Sequence, residues 1–302
     1  MTLLGLGTYR SHDVVTSTNI AVSAGCPLID TAPVYGKGTH QVTLASVLRA
    51  HPNVRVATKV GYLTRGQAEV ALTAGALSSG EAAFGHSIAP EYVSHQVAMS
   101  RAELRRPSLD IVYLHNPEHR HEERGDLHNR IRAAFTVLEA EKAQGTIRGY
   151  GVATWTGFGS GAFTVPDLVR LAREAAGTRR TGLMAVQLPV SMVNIAPIGQ
   201  SIDGGGPITQ AEQAGLQTWA SAPLHGGELL QLIRPRLADA VSPGASAAEA
   251  ALKMTASTPG LTGVLISTTN AFHWRQAAGA MRDPLPKHRL KELCALLSPD
   301  PA

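Results

Sequence analysis

The 302-residue sequence has little of several features that would assign it to a specialised class. Its two cysteines, Cys26 and Cys294, are too few for a disulfide framework or an all-cysteine zinc site. Aromatic residues make up 5% of the chain, and its net charge of +4 includes no long Lys/Arg block, which argues against nucleic-acid binding. No apolar stretch approaches the roughly 20 residues that a membrane span requires. The first ten residues show no charged leader or cleavage-like site, so we expect a cytoplasmic location.

Strand-like and helix-like segments alternate along the whole chain. Most predicted strands are continuous apolar runs, as expected of parallel strands covered on both faces. They are residues 3–8, 27–30, 54–60, 109–115, 148–154, 183–188, 216–220 and 263–267. The predicted helices are residues 14–24, 38–50, 90–104, 126–144, 165–176, 208–214, 247–257, 270–281 and 287–297.

Eight strands, each followed by a helix, favour a closed barrel over an open sheet. An open dinucleotide-binding sheet typically has a G-x-G-x-x-G turn after an early strand, and the sequence has none. The sequence therefore predicts an α/β protein with a single (β/α)8 TIM-barrel domain over residues 1–302.

Three stretches are too long for tight connections: residues 61–89, 116–125 and 191–207. They follow the third, fourth and sixth strands, so we expect them to be long loops over the carboxy-terminal mouth of the barrel, where such folds place their sites. Their Ala, Gly and Ser content favours a neutral, moderately apolar small molecule.

Ionisable side chains stand at the ends of three consecutive strands. Asp30 ends the second strand, Lys59 the third and His115 the fourth, while Tyr35 lies in the loop after the second. An ammonium group near a tyrosine lowers the pKa of the phenol, and a carboxylate holds the ammonium in place. A neutral histidine beside the phenol can hydrogen-bond a substrate oxygen. Such a set could protonate an oxygen or nitrogen as a hydride reaches the neighbouring carbon.

These residues lie in segments that resemble the aldo-keto reductases: GLGTY at 5–9, LIDTAPVYG at 28–36, ATKVG at 57–61 and LDIVYLH at 109–115. The resemblance implies a (β/α)8 barrel that uses a nicotinamide cofactor without metal, and an amino-terminal hairpin that is short or absent here. It also implies that Tyr35 is the general acid, Lys59 lowers its pKa, Asp30 anchors Lys59 and His115 orients the carbonyl.

The resemblance further implies a set of cofactor-binding residues. Around the nicotinamide and along the groove these are Gly7, Thr8, Tyr9, Thr154, Gln187, Ser221, Pro223 and Leu224. At the phosphate end they are Ser267, Thr268, Thr269, Asn270 and Arg275. Helix capping is an equal alternative for residues 267–270. The expected cofactor is NADPH, and NADH is not excluded.

Two positions depart from the family pattern. Trp155 stands where an amide-binding asparagine is usual, and Ser221 where a tyrosine usually stacks on the nicotinamide; Trp155 or Trp219 could supply the missing ring. The leading hypothesis is NAD(P)H-dependent reduction of a carbonyl, or of a C=N bond, in a small molecule. The alternatives are a barrel that catalyses elimination or isomerisation without redox chemistry, and a non-catalytic binding subunit. The sequence does not specify an oligomeric state.

A histidine- and glutamate-rich segment follows the fourth strand. It contains His115, Glu118, His119, His121, Glu122, Glu123 and His128. Because the later histidines lack paired helical spacing, we expect a solvated loop or substrate lid there and no metal site.

Overall fold

The computed structural model describes residues 1–120 and 123–297, in which eight parallel strands close into a barrel in chain order. Strand β8 pairs with both β7 and β1 and so closes the sheet. The strands are β1 Leu3–Gly7, β2 Leu28–Asp30, β3 Arg55–Val60, β4 Ile111–His115, β5 Tyr150–Ala153, β6 Leu183–Pro189, β7 Gln217–Ser221 and β8 Gly263–Ile266. The predicted (β/α)8 barrel is confirmed.

Helices cover the outside of the barrel. They are α1 Val14–Ser23, α2 His40–Ala50, α3 Arg65–Thr73, α4 Ser79–Phe84, α5 Pro90–Leu104, α6 Arg124–Ala143, α7 Val165–Ala176, α8 Ala196–Ile202, α9 Gly206–Gln213, α10 Pro235–Val241, α11 Ala247–Ala256, α12 Ala271–Ala280 and α13 Lys287–Leu297. Helices α5, α7 and α13 have the predicted bounds. None of the helices in the described part of the chain is both long and apolar enough to cross a membrane.

The prediction of long loops at 61–89 and 191–207 is wrong in part. The first stretch contains α3 and α4, and the second contains α8 and the start of α9. Helices α3 and α4 begin at capping boxes, in which Thr64 pairs with Gln67 and Ser78 with Glu81. Such boxes satisfy the free amides of a first turn, which supports short helices of weak apolar periodicity.

The stretch 116–125 is also partly ordered. It contains a 3-10 turn at Pro117–Arg120 and the start of α6 at Arg124. His121 and Glu122, which belong to the histidine- and glutamate-rich segment, lie outside the described residues. The rest of the described chain contains no group of three or more His, Cys, Asp or Glu side chains that could hold a metal ion.

The barrel interior is filled by large side chains. Trp219 and Tyr113 are fully buried there, with smaller apolar residues from the other strands. Gly5 and Gly263 leave the space that the Trp219 ring occupies, since a Cβ atom at either position would collide with it. Trp219 is therefore a core residue, and it cannot provide the ring that Ser221 lacks.

Candidate active site

A buried ion pair joins the ends of β2 and β3. Nζ of Lys59 donates to Oδ2 of Asp30 at 2.6 Å and to the carbonyl oxygen of Thr31 at 2.9 Å. The side chains of Lys59 and Asp30 are only 1% and 5% exposed. Charges buried this deeply are costly unless they are paired, so the two side chains hold each other in one geometry.

Tyr35 lies above this ion pair, in the 3-10 turn Tyr35–Gly38 that follows β2. Nζ of Lys59 is 4.8 Å from the centroid of the Tyr35 ring. The turn is tight, because Gly36 and Lys37 both have a positive φ, of 58° and 56°. A side chain at Gly36 would collide with the buried ring of His40, so the turn requires glycine for both conformation and space.

His115, the last residue of β4, lies beside Tyr35. The two ring centroids are 6.1 Å apart, edge to face. Its backbone carbonyl accepts a hydrogen bond from Nε2 of His86 at 2.8 Å. Burial and the positive charge of Lys59 hold the pKa of His115 well below 6.5. The imidazole is therefore neutral near pH 7 and has one N–H to donate.

The pKa of Tyr35 differs from the sequence prediction. Burial and the negative charge of Asp30 raise this pKa well above 10, whereas we expected Lys59 to lower it. Burial, which disfavours the charged phenolate, is the larger cause of the raised pKa, and the negative charge of Asp30 adds to it. Tyr35 is consequently a neutral phenol with a proton to donate.

These side chains form one end of a cleft of about 1130 Å³ at the carboxy-terminal mouth of the barrel. Asp30, Tyr35 and His115 line it, and Lys59 is buried beneath. Most of the predicted cofactor-binding residues also line this cleft: Gly7, Tyr9, Thr154, Gln187, Ser221, Pro223, Leu224, Ser267, Thr268 and Thr269.

Three of the predicted cofactor-binding residues do not line the cleft. Thr8 is fully buried, with its hydroxyl bonded to that of Thr31 at 3.0 Å. Asn270 caps α12, where Oδ1 accepts from the amide of Phe272 at 2.8 Å. Arg275 is exposed on α12, whereas His273 and Gln276 of the same helix line the cleft.

Glu118 organises the loop after β5. Its Oε1 accepts from the Thr154 hydroxyl at 2.6 Å and from the amides of Trp155, Thr156 and Gly157 at 3.1–3.2 Å. Glu118 is 8% exposed, so the expected solvated loop is wrong at this residue. No sequence pattern pointed to this role, because the partners are more than 30 positions away. The contact also engages the Thr154 hydroxyl that we expected to bind the cofactor.

Trp155 extends from this loop into the mouth. Half of its surface is exposed, and it lines the cleft. Its ring lies 6.2 Å from that of His225, in an edge contact across the end of β6. Trp155 and Ser221 both line the cleft, so of the two tryptophans that the sequence offered, Trp155 stays a candidate for the missing ring.

Sequence reasoning missed several other cleft residues. Tyr62 and Asn116 lie just beyond β3 and β4, and Arg10 forms an ion pair with Glu228 at 3.2 Å. Lys59 and His115 were located because residues at the carboxy-terminal ends of barrel strands meet at one rim. The same rule extends to Tyr62 and Asn116, because both follow strand ends within two residues.

The sequence and the fold both match known proteins. The family model of the aldo/keto reductase family matches residues 3–298. A curated relative, a D-threo-aldose 1-dehydrogenase from a Pseudomonas species, is 29% identical over 163 residues. This match covers 51% of the present chain and 45% of the relative, so the chain aligns with less than half of that protein.

Solved structures of low sequence identity share the barrel. An aldo/keto reductase from Klebsiella pneumoniae, in complex with NADP and acetate, is 19% identical with a TM-score of 0.67, covering 99% of this chain and 92% of the other. An aldo-keto reductase from Bacillus halodurans in its holo form is 16% identical with a TM-score of 0.68, covering 98% and 92%. Because the family model spans nearly all of the sequence, the chain belongs to the aldo/keto reductase family of oxidoreductases.

Proposed function

We propose that this protein is an NADPH-dependent oxidoreductase that reduces the carbonyl group of a small, mostly neutral organic substrate. The observation that carries the proposal is the buried Lys59–Asp30 pair, at 2.6 Å, under the ring of Tyr35 and near His115. Stability alone does not require this arrangement, because an apolar group of similar volume would replace a buried ion pair at little cost.

The residues of the cleft fit a nicotinamide dinucleotide. Gln187 donates its amide nitrogen to Asp30, which leaves its carbonyl oxygen as an acceptor for a carboxamide N–H. At the other end, Ser267, Thr268 and Thr269 lead into the amino terminus of α12, where free amides and the helix dipole favour a phosphate. The cleft is slightly larger than the usual range for pockets that hold one small ligand.

The chain's own residues supply the proton and orient the substrate. The bound nicotinamide would supply the hydride for the carbonyl carbon. The neutral phenol of Tyr35 donates its proton to the carbonyl oxygen as that oxygen becomes an alkoxide, and solvent later replaces the proton. Lys59, whose Nζ is 4.8 Å from the centroid of the Tyr35 ring, stabilises the transient phenolate, while Asp30 fixes Lys59. Neutral His115 donates its N–H to the same oxygen.

A second candidate is elimination or isomerisation without net redox chemistry, which would use Tyr35, Lys59 and His115 as acid and base. Two observations favour it. Ser221 provides no ring at the end of β7, and Glu118 already engages the hydroxyl of Thr154. Nucleotide binding separates the candidates, since the second does not require it.

Fluorescence titration and kinetics test the proposal. Addition of NADPH should change the tryptophan emission, because Trp155 lines the cleft. Tyr35→Phe removes only a hydroxyl, so turnover should fall by about 10²–10⁴-fold with NADPH affinity nearly unchanged. A matched control is Tyr92→Phe, which removes the hydroxyl that bonds Gln96 on α5, outside the cleft.

Two outcomes would contradict the proposal. If Tyr35→Phe keeps more than about half of its turnover, Tyr35 is not the proton donor, since general acid catalysis contributes far more. If neither NADPH nor NADH binds below millimolar concentration, hydride transfer is excluded, and the elimination or isomerisation candidate takes its place.

A further inference from the structure

Helix α3, which was not predicted from the sequence, packs against the turn that carries Tyr35. Nε2 of Gln67, in the first turn of α3, donates to the carbonyl oxygen of Pro33 at 2.9 Å. On the other side of the phenol, a Cβ atom at Gly38 would lie 3.5–3.7 Å from the side chains of Thr64 and Gln67. The start of α3 therefore contacts the chain just before Tyr35 and again just after it.

The side chain of Gln67 makes two different hydrogen bonds. Its Oε1 accepts from the Thr64 amide at 2.8 Å, which is part of the capping box of α3, while its Nε2 donates to Pro33. Both partners are backbone groups with fixed roles, one donor and one acceptor, so they determine the orientation of the Gln67 amide. A capping box needs only the acceptor oxygen, and glutamate serves there as well as glutamine. Helix capping therefore does not account for the N–H bond.

The segment that carries the phenol is held at both ends. At its start, the Thr31 carbonyl accepts from Nζ of Lys59 at 2.9 Å. At its end, the buried ring of His40 lies directly against Gly36. The bond from Gln67 supports the segment between these two ends, at a proline that is itself buried.

The turn depends on such external contacts. Lys37 has a positive φ of 56°, a left-handed conformation that is unfavourable for a residue with a side chain. The phenol of Tyr35 must also come within hydrogen-bond reach of a substrate oxygen, about 2.6–3.2 Å between heavy atoms. A displacement of about 1 Å from such a geometry can cost about 10²-fold in rate. A contact that fixes the turn therefore affects proton transfer directly.

We propose that Gln67 is a positioning residue for Tyr35: its N–H, bonded to the Pro33 carbonyl, holds the phenol where it can donate its proton. The inference rests on the proposed carbonyl reduction and adds to it a residue that does not line the cleft. Gln67 acts through the backbone of the turn, so its loss should lower the rate of the chemical step and leave the binding of substrate and NADPH unchanged.

Two crossed substitutions separate positioning from capping. Gln67→Glu keeps the acceptor oxygen of the capping box and loses the donor to Pro33. Thr64→Val keeps the side-chain shape and the Pro33 bond, and loses the hydroxyl that accepts from the Gln67 amide at 3.3 Å. Activity is measured with NADPH and the best substrate among propionaldehyde, benzaldehyde and acetone.

The two variants should show opposite effects. We expect kcat to fall by roughly 10- to 100-fold in Gln67→Glu, with KM for the carbonyl compound and NADPH affinity nearly unchanged. Thr64→Val should keep the kcat of the wild type and lower the melting temperature by about 2–4 °C, as expected for the loss of a helix cap. Gln67→Met, which has a similar length but neither donor nor acceptor oxygen, should show both effects.

Hydrogen exchange of the ligand-free protein gives a readout that needs no turnover. The amides of Tyr35 and Thr39 are hydrogen-bonded within the turn, at 3.1 and 3.2 Å. Both should exchange faster in Gln67→Glu, by about 2- to 10-fold, the usual effect of one hydrogen bond. In Thr64→Val they should exchange as in the wild type, while the backbone amide of Gln67 exchanges faster.

The failure of this inference is distinguishable from that of the proposed function. If Gln67→Glu keeps the kcat of the wild type, if Thr64→Val loses as much, or if exchange at the Tyr35 amide does not change in Gln67→Glu, Gln67 does not position Tyr35. Carbonyl reduction still stands in these cases, provided that Tyr35→Phe loses its turnover. If Tyr35→Phe keeps its turnover, or if none of the three carbonyl compounds is reduced with NADPH, the proposed function is wrong and the positioning role falls with it.

Discussion

Gln187 donates a hydrogen bond from Nε2 to Oδ1 of Asp30, at 3.0 Å. The other carboxylate oxygen, Oδ2, accepts from Lys59, so the carboxylate joins the end of β6 to the end of β3. The bond also fixes which end of the Gln187 amide faces Asp30, and its carbonyl oxygen stays free to accept. A change at Asp30 would therefore disturb both the ion pair and the proposed nicotinamide contact.

Lys59→Met should destabilise the protein as well as inactivate it. The substitution leaves Asp30 as a buried carboxylate without its cation, which typically costs about 3–5 kcal/mol. For a protein of this size we expect a fall in the melting temperature of roughly 6–15 °C, measured by differential scanning calorimetry.

Two further variants identify the cause of that loss. Lys59→Met combined with Asp30→Asn should recover part of the lost stability, because it removes the unpaired charge. Lys291→Met breaks an exposed ion pair with Asp203 of 2.8 Å and should leave the melting temperature almost unchanged. Equal melting temperatures for the wild type and Lys59→Met would show that the pair is not buried.

His86 should make the protein sensitive to mild acid. Burial lowers its pKa from 6.5 to about 4, although the bond to the His115 carbonyl opposes the shift. Because the folded-state pKa is depressed, the neutral form is favoured on folding. This contribution to stability is complete above about pH 6.5 and is lost as the pH falls towards 4.

Urea unfolding measures this effect. Between about pH 7.5 and pH 5, the wild type should lose about 2 kcal/mol of unfolding free energy through His86. His86→Gln has no titrating group but keeps an N–H for the His115 carbonyl, so its loss over the same range should be smaller by that amount. An identical pH dependence in both proteins would contradict the depressed pKa.

Glu118→Ala should loosen the loop after β5. The variant removes the acceptor shared by the Thr154 hydroxyl and the amides of residues 155–157. We expect faster hydrogen exchange at those amides and a loss of roughly 1–3 kcal/mol in unfolding free energy. Glu118→Gln keeps an acceptor oxygen and should retain most of the protection. Unchanged exchange in Glu118→Ala would contradict the role of this carboxylate.

The barrel and the groups beneath its mouth were predictable because they depend on short-range patterns. Parallel strands are apolar runs, and residues at their ends meet at one rim, so Asp30, Lys59 and His115 were predicted to lie together. The structure brings Lys59 and Asp30 within 2.6 Å. Their functional roles remain predictions, as do those of the cofactor residues.

The features that were missed depend on other information. Helices α3 and α4 are short and begin at capping boxes, which an apolar period does not reveal. The role of Glu118 depends on contacts with residues 36–39 positions further along the chain. The raised pKa of Tyr35 depends mainly on how deeply the phenol is buried and then on the nearby charge of Asp30, and a sequence gives neither burial nor distances.

Arg275 is the residue that we predict to select NADPH over NADH. It lies on α12, next to Gln276, which lines the cleft. A charge-assisted bond to the 2′-phosphate would give NADPH an advantage of roughly 10- to 100-fold. Arg275→Ala should remove that advantage in fluorescence titrations, while NADH affinity stays almost unchanged, because NADH has no 2′-phosphate.

Two other arginines provide the comparison. Arg282 is exposed just beyond α12, so Arg282→Ala should bind both nucleotides like the wild type. Arg10 lines the cleft but is paired with Glu228 at 3.2 Å, and the carboxylate partly offsets the attraction of Arg10 for a phosphate. If the NADPH preference survives in Arg275→Ala and disappears in Arg10→Ala, the 2′-phosphate binds beside β1, and the prediction for Arg275 is wrong.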